Sequence, residues 1–189
     1  GTRCWCTEGV GLARVFYNLG ENVTVILGRC KEDIPKNINT INIETANDML
    51  KEVKKLNNID VAICAAAVSD WGIMNPSQNK IKKNNIKLPK LDFSLNPDIL
   101  EYISNKIKCR PKLVVGFAAE TNDLINNAKK KLKTKNCDFI LANDVLKDPK
   151  IFGGNKNSIS LISKNKVDTW DTCSKKEVAN KLVHKILNE

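Results

Sequence analysis

In the stretch "CAAAVSDWGIMNPSQNKIKK" (64–83), Asp70 follows an apolar run, and Lys80, Lys82 and Lys83 close the segment. An aspartate placed after a strand can hold a ribose hydroxyl or a magnesium ion beside phosphates, or simply shape a turn. The lysines beyond it can neutralise a triphosphate or a developing negative charge, or form a solvated loop. Lys131 and Lys135, in "AKKKLKTK", are spaced to share one side of a helix. There they flank the stripe Leu124, Ala128 and Leu132, while Lys130 points nearly opposite. "LNPDIL" (95–100) offers Asn96 as a helix cap, Pro97 in the first turn and Asp98 beside the positive end of the helix dipole. That pattern is ordinary capping chemistry, or it leaves backbone N–H groups for an anion.

His184 is the only histidine, and it stands beside Val183 in an amphipathic run, where packing or surface exposure is its ordinary role. The seven cysteines include no C-x-x-C pair. Triad hydrolysis, histidine acid–base chemistry and a zinc centre therefore lack their residues, and no metal ligand is assigned. Lysines, amides and carboxylates remain. They suit phosphoryl or nucleotidyl transfer, in which positioning and charge neutralisation dominate.

The elements that must position these groups alternate between strands and helices. Residues 9–19 read as a helix stopped by Gly20, 22–27 as a buried strand, and 38–44 as a second strand. Thr45 and Asp48 then form a helix-start pair, and Met49, Val53 and Leu56 continue that helix as an apolar stripe. "IDVAICAAAV" (59–68) is apolar throughout, which predicts a central strand covered on both faces. Residues 112–120 and 137–144 give further strands around a helix over 121–135. "SISLIS" and "KVDTW" pair as a hairpin across Lys164-Asn165, and residues 174–188 close the chain as a helix. The pattern predicts an α/β, Rossmann-like three-layer fold with a mostly parallel central sheet and helices on both faces. Ligands bind such sheets beyond the carboxyl ends of the strands, where Asp70, Phe117 to Glu120 and Asn143-Asp144 all fall.

With 189 residues and no domain boundary, the chain reads as one nucleotide-binding domain over 1–189. It starts at Gly1 rather than Met, so the expectation is a fragment or a processed form. The net charge of +10 fits nucleic acid, a membrane surface or phosphorylated substrates. Aromatics make up only 5% of residues and the lysines are spread widely, so no nucleic-acid partner is expected. No apolar run approaches the ~20 residues of a spanning helix, so no membrane association is expected. An odd, scattered cysteine set reads as a reducing, cytoplasmic location. An oxidoreductase is disfavoured, because "GVGLAR" places Arg14 where the dinucleotide fingerprint has its third glycine.

Six segments, "AAAVSDW", "KIKK", "NPDIL", "VGFAAET", "AKKKLKTKNCDFILANDV" and "FGGNKNSISLI", resemble, in order and spacing, the phosphopantothenoylcysteine synthetase (phosphopantothenate–cysteine ligase) family of coenzyme A biosynthesis. They span roughly residues 40–162. The bacterial members use CTP and usually form the C-terminal half of a bifunctional flavoprotein. The resemblance implies amide formation between 4'-phosphopantothenate and L-cysteine through an acyl-cytidylate, with release of pyrophosphate and CMP. It also implies magnesium accompanying the CTP, a homodimer, and a flavin-dependent phosphopantothenoylcysteine decarboxylase domain fused upstream. By motif, Cys64, Ala65, Ala66 and Asp70 line the nucleotide, Pro97, Asp98, Ile99, Leu100 and Phe117 extend its wall, and Lys131 and Lys135 complete the cationic side. Lys80 is the implied catalytic residue: it contacts the triphosphate from a flap that folds over it. The alternatives are an ATP-using ligase of the same family and a nucleotide-binding protein without ligase activity.

The likeness departs at the N-terminus. The family has an asparagine and an S-S-G-K-x-G turn ahead of its first helix, whereas here "GTR" runs directly into "CWCTEGVGLARVF". Cys6 falls where the turn's first glycine stands, and about a dozen residues are missing between Arg3 and Cys4, as is the strand expected before Gly1. The expectation is either an omitted loop and leader or a chain impaired in the second half-reaction.

Overall fold

The computed structural model describes residues 3–74, 91–120, 122–144 and 156–188. Lys80 and the rest of the "KIKK" segment lie outside the described residues. A five-stranded sheet forms the centre. It comprises β3 (Val61–Cys64), β6 (Leu113–Glu120), β7 (Phe139–Asp144), β8 (Lys156–Ser163) and β9 (Val167–Ser174), in the order β3-β6-β7-β8-β9. β3, β6 and β7 are parallel, β8 opposes β7, and β9 opposes β8, so four of the five strands run the same way. β1 (Thr24–Leu27) and β2 (Asn39–Asn42) form a separate parallel pair. β4 (Trp71–Ile73) and β5 (Phe93–Leu95) form an antiparallel ribbon.

Side-chain alternation along the strands builds a core on each face of the sheet. On one face Val115, Phe117, Phe139, Leu141 and Ile159 meet Leu12 of α1 (Arg3–Asn18) and Val178, Leu182, Val183 and Ile186 of α5 (Lys175–Leu187). On the other, Val114, Ala118, Ile140, Ala142 and Ile162 meet three helices: α2 (Ala46–Lys55), α3 (Ile99–Ser104) and α4 (Leu124–Lys135). The result is the three-layer α/β arrangement that the sequence pattern predicts. His184 is exposed on α5. Among the described residues, no helix is long and apolar enough to cross a membrane.

Local chemistry explains most boundaries. Thr45 and Asp48 form a reciprocal capping box at α2, and Ser174 with Glu177 does the same at α5. Several expectations need correction. The first helix starts at Arg3, before Gly9. The apolar run 59–68 is extended in the sheet only over Val61–Cys64, and β3 is the end strand of its sheet among the described residues rather than a central one. Residue 98, not 96, caps α3: the Asp98 carboxylate accepts from the Glu101 N–H at 2.8 Å, while the Asn96 side chain is engaged elsewhere. Helix α4 begins at Leu124, because Asp123 adopts a left-handed backbone, with φ at 48°.

At the amino ends of the strands, Arg110 acts as a structural latch. Its guanidinium donates to the carbonyls of Ser104, Pro111 and Asn136 and to the Asp138 carboxylate, which also receives the Val114 N–H. This holds the start of β6, the start of β7 and the end of α3 in one register, on the far side of the sheet from the candidate site.

Candidate functional site

The carboxyl end of β3 and the segments that pack on it gather most of the residues singled out from sequence. Asn96 organises the entrance. Its backbone N–H donates to the Asp70 carbonyl at 2.8 Å, and its Nδ2 donates to the Ser69 carbonyl at 2.9 Å. A Cβ on Gly72 would lie 2.6 Å from the Asn96 Oδ1, so a side chain there would push the Asn96 amide from its place against Ser69. The loop after β3 is thereby fixed to the approach to α3, which places Asp70 close to Pro97 and Asp98.

Behind that crossing, Lys135 reaches from α4 to α3. Its Nζ lies 2.8 Å from the Asp98 Oδ2 and 2.8 Å from the Glu101 Oε2. Burial alone would raise the Asp98 carboxyl, but hydrogen bonds from Lys135 and the Glu101 N–H outweigh it. With the charges of Lys135 and Lys131 added, Asp98 is held below its ordinary value. The hydrogen bonds that Lys135 donates to Asp98 and Glu101 raise it in turn. One turn earlier, the Lys131 Nζ donates to the Phe117 carbonyl at 3.0 Å. Both lysines thus emerge on the side read from their spacing, and both are already engaged with the protein. The six-residue α3 carries its own carboxylate at the N-terminus, which disfavours an anion there.

The apolar residues divide by what they can offer. Ile99, Leu100, Phe117 and Ala65 are buried core members, so a ligand meets chiefly their backbone. Ala66 is exposed and Pro97 half-buried. Cys64 is half-buried and free, and burial pushes its thiol up to about 12, with the charges of Cys137 and Asp98 adding. At neutral pH it is a neutral wall, not a nucleophile. Cys109, Cys137 and Cys173 are also free, whereas Cys30 is disulfide-bonded.

Two features escape a reading of the sequence. A concavity of about 1120 Å³ runs along β1, β2 and their connection, past Arg29, Glu32, Asp33 and Lys36, and contains none of the residues singled out for the nucleotide. The β4–β5 ribbon presents Trp71, Ile73, Phe93 and Leu95 on a single face. Trp71 pairs with Leu95 and Ile73 with Phe93, and all four are 46–71% exposed. The alternation in "WGIM" and "DFSL" hints at this face, but nothing in the sequence marks it as uncovered.

Comparison with known proteins identifies the architecture. Residues 5–189 match the family model described as "DNA/pantothenate metabolism flavoprotein C-terminal domain". The coenzyme A biosynthesis bifunctional protein CoaBC of Borreliella burgdorferi is 39% identical over 177 residues, covering 93% of this chain and 44% of that protein. The chain thus spans about half the length of the curated relatives it matches. A crystal structure of the C-terminal domain of a CoaBC superposes with a TM-score of 0.77 at 29% identity, covering 95% of this chain and 80% of that one. A Cab2 mutant in complex with phosphopantothenate-cysteine superposes at 0.70 with 17% identity, covering 96% and 78%, and so shares the fold. Family model, sequence and fold agree: the chain belongs to the DNA/pantothenate metabolism flavoprotein C-terminal domain family.

Proposed function

We propose that the chain is the phosphopantothenate–cysteine ligase unit of coenzyme A biosynthesis, with CTP as its nucleotide. The family match carries this reading, and three contacts support it: Asn96 to Asp70, Lys135 to Asp98 and Lys131 to Phe117. In it the phosphopantothenate carboxylate attacks the α-phosphorus of CTP, pyrophosphate leaves, and the amine of cysteine then displaces CMP from the acyl-cytidylate. Asp70 faces the ribose hydroxyls. The backbone of Ala65, Ala66 and Pro97 to Leu100 walls the nucleotide. Lys131, held on the Phe117 carbonyl, and Lys135, held by two acids, supply oriented N–H donors. Lys80 meets the triphosphate.

The donors near Asp70 are oxygens with few charges, which suits a magnesium ion arriving on the triphosphate and retaining water rather than one caged by protein. When bound, it neutralises phosphate charge. A flavin-dependent decarboxylase domain stands upstream in the native polypeptide, as in the bifunctional relatives; the cytoplasmic location expected from the scattered cysteines is not supported by the disulfide at Cys30. The functional unit is a homodimer, a reading that the apolar ribbon face supports: a two-stranded ribbon is marginal by itself and gains from a second copy laid against it. Trp71→Glu is expected to halve the solution mass measured by light scattering. An unchanged mass would remove the ribbon from the interface.

The test of activity is pyrophosphate release from CTP with 4'-phosphopantothenate, with and without cysteine. Release in both cases and amide formation only with cysteine are expected, with ATP a poorer substrate. A second reading has its own support. Helical backbone over residues 3–8 occupies the place where the family's asparagine loop is expected, which favours nucleotide binding without completed ligation. CTP binding with no pyrophosphate release would establish that alternative.

A further inference from the structure

Among the described residues, the buried polar side chains are those of Glu8, Ser104, Asn143 and Ser160, and only Glu8 carries a charge. Its Oε1 lies 3.5 Å from the Lys175 Nζ, with the two side chains 4% and 13% exposed. The pair ties the start of α1 to the start of α5. A Cβ on Gly9, the next residue, would meet the Ala65 Cβ at 3.7 Å, and Ala65 directly follows the carboxyl end of β3. Lys175 directly follows the carboxyl end of β9, which runs with β7 because β8 opposes both. The pair therefore stands at the carboxyl rim of the sheet, in the layer of α1 and α5. Lys131 and Lys135 belong to the opposite layer, that of α3 and α4.

Enclosing two opposite charges gains little stability over an apolar pair of similar volume. The chemistry of the site gives the pair another use. Displacement at phosphorus sets the attacking and leaving oxygens roughly in line. With pyrophosphate leaving toward the lysines of α4, the acid must approach from the layer of α1 and α5, where Lys175 stands. We infer that Lys175 binds an oxyanion of the acid substrate, and that Glu8 is a positioning residue that fixes the ammonium at the rim. The inference rests on the ligase reading above and gives that site its acid-binding side. An ammonium has three donors and can bridge a carboxylate and a second oxyanion.

Calorimetric titration with 4'-phosphopantothenate, pantothenate and CTP tests this without requiring turnover. Lys175→Met is expected to bind 4'-phosphopantothenate about ten- to a hundred-fold more weakly, the range of one hydrogen bond to a charged group. CTP affinity should be unchanged, and the melting temperature should fall, because Glu8 is left enclosed without its cation. The double variant Glu8→Gln with Lys175→Met removes both charges, so it should regain the melting temperature and keep the weakened binding. It also replaces the single variant if that one does not fold. Lys175→Arg, which keeps the cation, should retain most of the affinity. A loss with both acids assigns the contact to the carboxylate they share, and a loss confined to 4'-phosphopantothenate assigns it to the phosphate. Acid binding that recovers with the melting temperature, unchanged acid affinity in Lys175→Met, or an equal loss for CTP overturns the inference and leaves the ligase reading standing. A chain that binds CTP but no 4'-phosphopantothenate overturns both.

Discussion

Lys80→Ala is expected to lower kcat for pyrophosphate release by about 10²–10³, the range found for removing one oriented donor to a developing negative charge. The role proposed for Lys80 agrees with the connectivity of the described residues. The segment 75–90 joins the two strands of the ribbon, whose outer end is closed by the Met74 N–H donating to the Asp92 carbonyl at 2.9 Å. Its inner end is pinned by Asn96 to Ser69 and Asp70. Lys135 is paired with Asp98 and Glu101, and Lys131 is held on the Phe117 carbonyl. A triphosphate requires cations from elsewhere. Stability should change by no more than about 0.5 kcal/mol, as for surface substitutions away from packed features. Lys80→Arg should recover part of the rate. Steady-state kinetics with melting curves on the same samples check this, and unchanged turnover would remove Lys80 from the chemistry.

The layered fold was legible because it rests on local periodicity. Strand runs at period two and the stripes of α2, α4 and α5 each declare a buried face without reference to distant residues. Thr45 with Asp48 also announces a helix start by local chemistry alone. Long-range pairing is a different matter. "NPDIL" reads with Asn96 as the cap, and Asn96 loses that role to Asp98 because its amide is taken by Ser69, 27 positions away in the chain. The first helix reads as starting at residue 9, yet it runs through Gly9 and Gly11 from Arg3, and a Cβ on Gly9 would meet the Ala65 Cβ at 3.7 Å, an ordinary van der Waals contact. The side of α4 that carries Lys131 and Lys135 follows from their spacing. That Lys135 meets two carboxylates does not, since Asp98 and Glu101 come from a separate helix. Glu8 shows the same limit: in "CTEGVG" nothing in the spacing distinguishes an enclosed carboxylate from a solvated one.

Gly116→Val is expected to be the most damaging substitution to the scaffold, and its effect should reach the site. Gly116 sits on β6 opposite Cys64, facing the α3 layer. A Cβ there would lie 2.5 Å from the Leu100 Cδ2 and 2.8 Å from the Ile140 Cδ1, closer than real contacts allow. Ile140 is fully enclosed, which leaves its Cδ1 little room to yield. Leu100 must turn its side chain within a packed core or carry the first turn of α3 with it, and that turn presents Asp98 to Lys135. Overpacking of this kind costs about 1–3 kcal/mol, and the branched methyls of valine put the expectation at the upper end. At about 2–4 °C per kcal/mol for a chain of this size, the melting temperature should fall by roughly 6–12 °C. CTP affinity should fall as well, because Asp98, Ile99 and Leu100 shift together. The companion change Leu100→Ala removes the obstructing methyls, so the double variant should be less destabilised than the sum of the single changes, a coupling that a double-mutant cycle measures. Additive losses would mean that the strand, rather than α3, absorbs the clash. CTP affinity would then survive in Gly116→Val despite the lower melting temperature.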